Sequence, residues 1–381
     1  MNGRIMASIA AAIFVFLGLN LYLGWNGHLF WETAFPSVRA GWFWAVYWIF
    51  ALSYLAAALL RNFLPYRAGA VLKVIGSYGL GLLFYSLILI PLADIAAWVM
   101  RLSGVEREQS ILISGWTVVA LLALVFLIGS YNAWNTVIRS YELVVPKSAG
   151  DGRRELRIAV ASDLHLGAVV GKKQLARLAD SMDELKPDLI LLAGDVLDDS
   201  IEPFIKENMA DVMQRLKAPL GVFACLGNHE YIGGHVGEYI KRMQAIGIEV
   251  LTDKVVEIGS SFYVAGRKDR AEEHSPQGGR LSVEQLLDEA DRTKPVILLD
   301  HQPYGLAAAS AAGVDLMLSG HTHRGQMAPA HLVTRKLFEL DWGYLRKGAM
   351  HVIVSSGYGL WGPPVRLGSR SEIIDIKLKF A

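Results

Sequence analysis

Five short polar clusters in this chain set aspartate, histidine and asparagine at the ends of apolar runs. They are Asp163-Leu164-His165, Gly194-Asp195, Gly227-Asn228-His229-Glu230, the lone His301, and Gly320-His321-Thr322-His323. The runs before them read LRIAVAS, DLILLAG, LGVFACLG, PVILLD and VDLMLS. Aspartates and imidazoles without thiolates suit a divalent transition metal such as Mn, Fe or Zn better than Ca, which prefers oxygen alone. Two carboxylates, one carboxamide and four or five imidazoles are more than one ion needs. Two ions about 3.5–4 Å apart, sharing one carboxylate, would use the full set; such a pair activates water and clamps the oxygens of an in-line phosphoryl displacement.

The elements that must position these groups follow from the pattern around them. Short apolar runs alternate with amphipathic stretches at 172–185, 204–216 and 236–246, which indicates an α/β domain with buried strands. In open α/β sheets, ligands gather beyond the carboxyl ends of the strands, where all five clusters stand. The glycines before Asp195, Asn228 and His321 are expected to let the backbone turn sharply. Five of the ten histidines follow strand ends directly. His28, His235, His274, His331 and His351 do not, and only His235 and His331 lie near enough in sequence to serve as outer supports. The single cysteine, Cys225, excludes an internal disulfide framework and a Cys-cluster metal site, and reads as a small core residue.

The first third of the chain is of another kind. Hydrophobic residues make up 53% of the sequence, and they concentrate in four runs at 5–25, 42–60, 71–92 and 111–130. Each run approaches or exceeds the roughly 20 residues that cross a hydrocarbon core of about 30 Å. Tryptophan and tyrosine crowd the run ends, as in WFWAVYW, where interfacial belts form. Residues 1–145 are therefore read as a four-helix transmembrane region, 146–155 (PKSAGDGRRE) as a polar linker, and 156–381 as the catalytic domain. Arg4, Arg61, Arg67, Arg139 and Lys147, with Lys73 just inside a span, outnumber Arg39, Arg101 and Arg107 on the other side. The positive-inside rule then places both termini and the catalytic domain in the cytoplasm, for an integral protein of a bacterial plasma membrane. Asp94 and Lys73 lie near span ends, where interfacial placement accounts for them. A net charge of +1 gives no reason to expect nucleic-acid binding.

The ordered series DLH, GD, GNHE, H and GHTH resembles the signature of the calcineurin-like metallophosphoesterases, over roughly residues 156–380. The resemblance implies a sandwich of two mixed β-sheets flanked by helices. It implies that Asp163, His165 and His323 hold one metal, that Asn228, His301 and His321 hold a second, and that Asp195 bridges them. His229 is similar to the family histidine that protonates the leaving group or stabilises transition-state charge. Two departures stand out. Glu230 replaces the Asp that often follows the Asn-His pair, and would orient His229 from behind. Arg324 stands where many relatives have glycine, so it would either pair with a phosphate or point to solvent. Arg366, in the glycine-rich tail SSGYGLWGPPVRLGSRSEI, would either contact substrate or form a loop ion pair. FELDWGYLRKG, residues 338–348, mixes aromatic and basic residues and reads as a groove lining, a lipid-headgroup contact or an ordinary hairpin.

The expected activity is hydrolysis of a phosphodiester, phosphomonoester or pyrophosphate by metal-activated hydroxide. The anchor points to a lipid-linked or nucleotide-lipid substrate, and membrane lipids are the other expected partner. The alternative is a membrane sensor or transporter whose phosphoesterase-like domain only binds a phosphorylated ligand.

Overall fold

The computed structural model describes residues 3–60, 63–273 and 279–381, so Arg61 and His274 lie outside the described residues. Contacts divide the chain into two units: residues 1–129 with 362–365, and residues 130–361 with 366–381.

The first unit consists of four helices, α1 (Gly3–Ala34), α2 (Ala40–Leu59), α3 (Tyr66–Leu102) and α4 (Arg107–Trp134). All four are long and apolar enough to cross a membrane, and the protein is membrane-associated. Three of them overrun the expected spans, and the ends of α3 move most. Hydropathy marks only the stretch that meets hydrocarbon, whereas a helix continues through the interface as long as nothing breaks it; α3 is about 55 Å long at 1.5 Å per residue. Gly76 and Gly79 let α2 and α3 touch backbone to backbone. A Cβ at these positions would come within 2.3 Å of Tyr54 N and 2.5 Å of Phe50 O. Asp94 accepts a hydrogen bond of 2.5 Å from the Tyr22 hydroxyl, so this carboxylate is tied between two helices.

The second unit is an α/β sandwich. Its strands are β1 (Val137–Val145), β2 (Glu155–Ala161), β3 (Leu189–Ala193), β4 (Val222–Cys225), β5 (Ile248–Leu251), β6 (Lys254–Ile258), β7 (Phe262–Gly266), β8 (Val296–Leu299), β9 (Leu316–Ser319), β10 (Gly343–Lys347), β11 (Met350–Val354) and β12 (Glu372–Phe380). They form two six-stranded sheets, ordered β1-β12-β2-β3-β4-β5 and β10-β11-β9-β8-β7-β6. Both are mixed: β2 to β5 run parallel while β12 opposes β2, and β7, β8, β9 and β11 run parallel while β6 and β10 oppose their neighbours.

Side-chain alternation along the strands builds the layers. Leu156, Ile158 and Val160 of β2 face the other sheet's Ile297, Leu316 and Ile353 in one core. Ala159 and Ala161 face outward to Leu175, Leu178 and Met182 of α5 (Lys172–Leu185). Ala265, Leu298, Met317 and Val352 build the matching outer layer of the second sheet. Cys225 is a free, fully buried thiol in the inter-sheet core.

One boundary needs correction. Strand β1 precedes the expected linker at 146–155, yet it pairs in parallel with the final strand β12 from Val137↔Glu372 to Val145↔Phe380. Its alternating pattern VIRSYELVV is that of a half-buried edge strand. The long apolar run before it masked that change of period, and the break between units falls near residue 130 rather than 146.

Candidate metal centre

β2, β3 and β4 of one sheet and β8 and β9 of the other end at the same place, and the loops that leave them are stitched together. Asp163 N–H donates to the Gly194 carbonyl and His165 N–H to the Asp195 carbonyl, each at 3.0 Å. Across the second sheet, Gly320 N–H donates to the His301 carbonyl at 2.9 Å. Asp163, His165, Asp195, His321 and His323 all have left-handed backbones, with φ between 45° and 72°. For residues other than glycine, this conformation is sparsely populated and carries strain of order 1–3 kcal/mol each. Strain at five converging polar residues is what a functional cluster looks like in backbone terms.

The glycines that precede them act differently from expectation. Gly194 has a positive φ of 85° and supplies a turn. Gly227 and Gly320 have no positive φ; they supply room. A Cβ at Gly227 would lie 2.1 Å from Asp195 Oδ1, and one at Gly320 would lie 2.2 Å from Asp163 Oδ2. Any side chain there would displace a carboxylate.

The clusters assemble into trios whose ligating atoms lie within 4.8 Å of one another: Asp163, His165 and His323; Asp195, His301 and His321; and His165, Asp195 and His229. His165 Nε2 and His323 Nε2 face each other at 3.0 Å, and Asp163 Oδ1 is 3.5 Å from His323 Nε2. Asp195 Oδ2 sits 3.0 Å from His301 Nε2 and 4.0 Å from His165 Nε2. His301 Nε2 is fully buried and has no group besides that carboxylate to meet. A buried imidazole nitrogen and a buried carboxylate oxygen 3.0 Å apart are spaced as two donors to one cation would be. Asn228 Oδ1 meets His321 Nδ1 at 2.9 Å, bringing the carboxamide to the second trio. Backbone and outer groups fix these side chains: His301 Nδ1 is held by the Ala193 carbonyl at 2.8 Å, and Asp163 Oδ1 and Asp195 Oδ1 accept from the N–H groups of His321 and His229, each at 2.9 Å.

Burial sets the protonation states. It holds His165 and His323 below the usual imidazole range, and it lowers His321 to about 3 with help from the neighbouring His301 charge. All three are neutral, as ligands must be. Burial also raises Asp163. His301 is driven well up by Asp195 in spite of its burial, and Asp195 is correspondingly held ionised; as a ligand, His301 would give up this proton and a metal ion would take its place beside Asp195.

His229 has a separate support. Its burial pulls the imidazole down, but a 2.8 Å hydrogen bond from Nδ1 to Asp199, with the charges of Asp195 and Asp198, raises it to about 9. Glu230 does not orient His229. Its carboxylate accepts the N–H groups of Gly227 at 2.7 Å, Leu197 at 2.9 Å and Asp195 at 3.2 Å, locking two site loops together. On a helical turn the next side chain points about 100° away, so neighbours in sequence do not share a face. Burial and the Asp195 charge raise Glu230 to about 7. Asp199 was the missed residue, and GDVLDD had carried its signal.

The two arginines divide. Arg366 is fully buried and donates to the carbonyls of Ser356 (2.7 Å), Gly359 (2.6 Å) and Gly357 (3.2 Å), so it forms neither the substrate contact nor the ion pair considered for it. Burial lowers its guanidinium to about 10. It props the glycine-rich loop behind His323, with Nη2 3.3 Å from His323 Nδ1. Arg324 is half-buried and lies over Trp342, its guanidinium carbon 4.0 Å from the ring centroid. Thr322, between the two histidines, turns away and donates to the Asp341 carbonyl at 2.5 Å. Its backbone is helical rather than extended, so the divergence of His321 and His323 comes from their own left-handed turns.

Comparison with known proteins agrees with this geometry. The family model of the calcineurin-like phosphoesterases matches residues 156–325. An uncharacterized metallophosphoesterase of Aquifex aeolicus is 32% identical over 258 residues, which is 66% of this chain and 97% of the relative. A transmembrane protein with metallophosphoesterase domain of Danio rerio is 31% identical over 59% of this chain and 54% of its own length. An uncharacterized metallophosphoesterase of Helicobacter pylori is 30% identical over 59% of this chain and 60% of its own. The matched part thus spans nearly all of the first relative but little more than half of the other two.

Proposed function

Since this chain belongs to the calcineurin-like metallophosphoesterase family and is a metal-dependent phosphoesterase, we propose that its centre is dinuclear. In this reading Asp163, His165 and His323 hold one divalent ion, Asn228, His301 and His321 hold the other, and Asp195 serves both. Mn, Fe or Zn suits the mixed nitrogen and oxygen donors. When bound, such a pair lowers the pKa of water and neutralises phosphoryl oxygens. The protein's own groups do the rest. His229, kept protonated beside Asp199, hands its proton to the departing oxygen of a phosphodiester, phosphomonoester or pyrophosphate. Arg324, braced on Trp342, holds a phosphate oxygen at the rim.

The observation that carries this reading is a chain of shared donors: Asp195 groups with His301 and His321 and also with His165 and His229, and His165 groups in turn with Asp163 and His323. The four apolar helices support a lipid-linked phosphate as substrate and a catalytic unit on the cytoplasmic face of a bacterial plasma membrane. The test is hydrolysis of bis-p-nitrophenyl phosphate by the purified full-length protein with added Mn, alongside metal analysis. Metal bound without turnover would favour a ligand-binding sensor instead.

A further inference from the structure

The helix His331–Leu337 follows the metal-ligand turn directly and exposes an apolar face. Leu332, Val333 and Leu337 are 58%, 58% and 64% exposed, although this helix has only seven residues. At 100° per residue, Leu332, Lys336, Val333 and Leu337 fall on one continuous arc, and Arg335 flanks it. The opposite side of the helix is tied to the protein. Thr334 Oγ1 donates to Asp341 Oδ2 at 2.7 Å, and the backbone at His331 packs so closely on Gly325 that a Cβ there would lie 2.4 Å from His331 N. The apolar arc is therefore held fixed. No ion pair among the described residues engages Arg335 or Lys336.

We propose that this face is an interfacial surface, and that its partner is the anionic headgroup layer of the bilayer the spans cross. Apolar side chains flanked by unpaired basic ones are the composition that lies in a headgroup region. A second residue beside the same turn has the same character: Trp361, whose carbonyl accepts from Gln326 Nε2 at 2.8 Å, is 56% exposed. Tryptophan is favoured at membrane interfaces. The same surface borders the metal centre. Phe338, the residue after Leu337, presents its ring edge-on to His321, with centroids 6.0 Å apart. A phosphate whose lipid chains stay in the bilayer would thus reach the centre past His331–Leu337, without the lipid leaving the membrane; this last step rests on the phosphoesterase reading.

The surface itself can be tested without activity. Cys225 is fully buried, so a nitroxide can be placed at Val333→Cys in the full-length chain, with Val144→Cys on edge strand β1, 57% exposed, as reference. In vesicles of phosphatidylethanolamine with a minority of phosphatidylglycerol, the label at 333 should collide more with oxygen than with a water-soluble nickel chelate, and the label at 144 the reverse. Equal, water-like behaviour at both positions overturns the proposal. A second measurement uses the triple variant Leu332→Gln, Val333→Gln, Leu337→Gln. It should keep turnover of soluble bis-p-nitrophenyl phosphate and lose turnover of phosphatidyl-p-nitrophenol in vesicles. Unchanged vesicle turnover, or equal loss on both substrates, sinks the proposed access route. Failure of the parent protein on both substrates would sink the phosphoesterase reading while leaving the label result to stand or fall alone.

Discussion

On one side of Asp195 stand Asp163, His165 and His323; on the other stand Asn228, His301 and His321. The first set is buried throughout, contributes its own carboxylate and keeps both imidazoles neutral. The second has no carboxylate besides Asp195, and two of its members, Asn228 and His321, are only partly buried. Similar donor counts thus sit in different surroundings. On the dinuclear proposal, the inner set would supply the charge and enclosure to hold an ion tightly, and the outer set, being more exposed, would be the side a phosphate reaches. Asp195 makes one unit of the two.

Asp195→Asn should have the largest effect, because it removes the charge both sides share. Turnover of bis-p-nitrophenyl phosphate should fall to background, and bound metal well below that of the parent protein. Near-normal activity would break the idea of a shared carboxylate. The next comparison separates the sides. Asp163→Asn should cost the inner side its ion, whereas His321→Ala should weaken the outer side's metal affinity and leave the inner ion in place. Metal titration followed by mass spectrometry measures both, and equal losses would erase the proposed asymmetry.

His229 lies against both sides without being counted with either. His229→Ala should keep its metal and slow turnover by about 10²–10⁴, the usual worth of a positioned proton donor. Asp199→Asn should be milder, about tenfold. It should also move the pH profile. Asp199 helps hold His229 at about 9, so its loss lowers that pKa and the basic limb of activity should shift toward lower pH. An unmoved limb would mean that another group donates the proton.

That these side chains come together was legible in the residues, because polar clusters at strand ends are set by local order along the chain, while their assignment as ligands rests on the family resemblance. The series from Asp163 to His323 could be assembled by position alone. What could not be read was which neighbour supports which ligand. Glu230 is next to His229 in sequence and faces three backbone N–H groups instead, while Asp199, thirty residues away, reaches the imidazole. Arg366 left a substrate contact and a loop ion pair equally open, and its carbonyl partners could not be read from sequence, since burial of a charge depends on a loop's closed shape. The membrane unit shows the converse. Its helices were evident from hydropathy, but their ends were not, because hydropathy marks only the stretch that meets hydrocarbon and a helix continues past it. Strand β1 was lost for a related reason: its pairing partner, β12, lies at the other end of the chain.

An effect no larger than that at Asp199 is expected at the outer side's rim. Arg324 lies over Trp342, whose indole N–H donates to Glu372 at 3.2 Å, so the platform beneath the guanidinium is itself fixed. Such bracing lowers the entropy a phosphate contact must overcome. Arg324→Gly should therefore raise KM by about tenfold, or roughly 1.4 kcal/mol of binding, with kcat and metal content unchanged. That pattern is the mark of binding lost equally from ground and transition states. A fall in kcat at constant KM would instead place Arg324 beside the reacting phosphorus, and the outer side would then supply charge stabilisation as well as access.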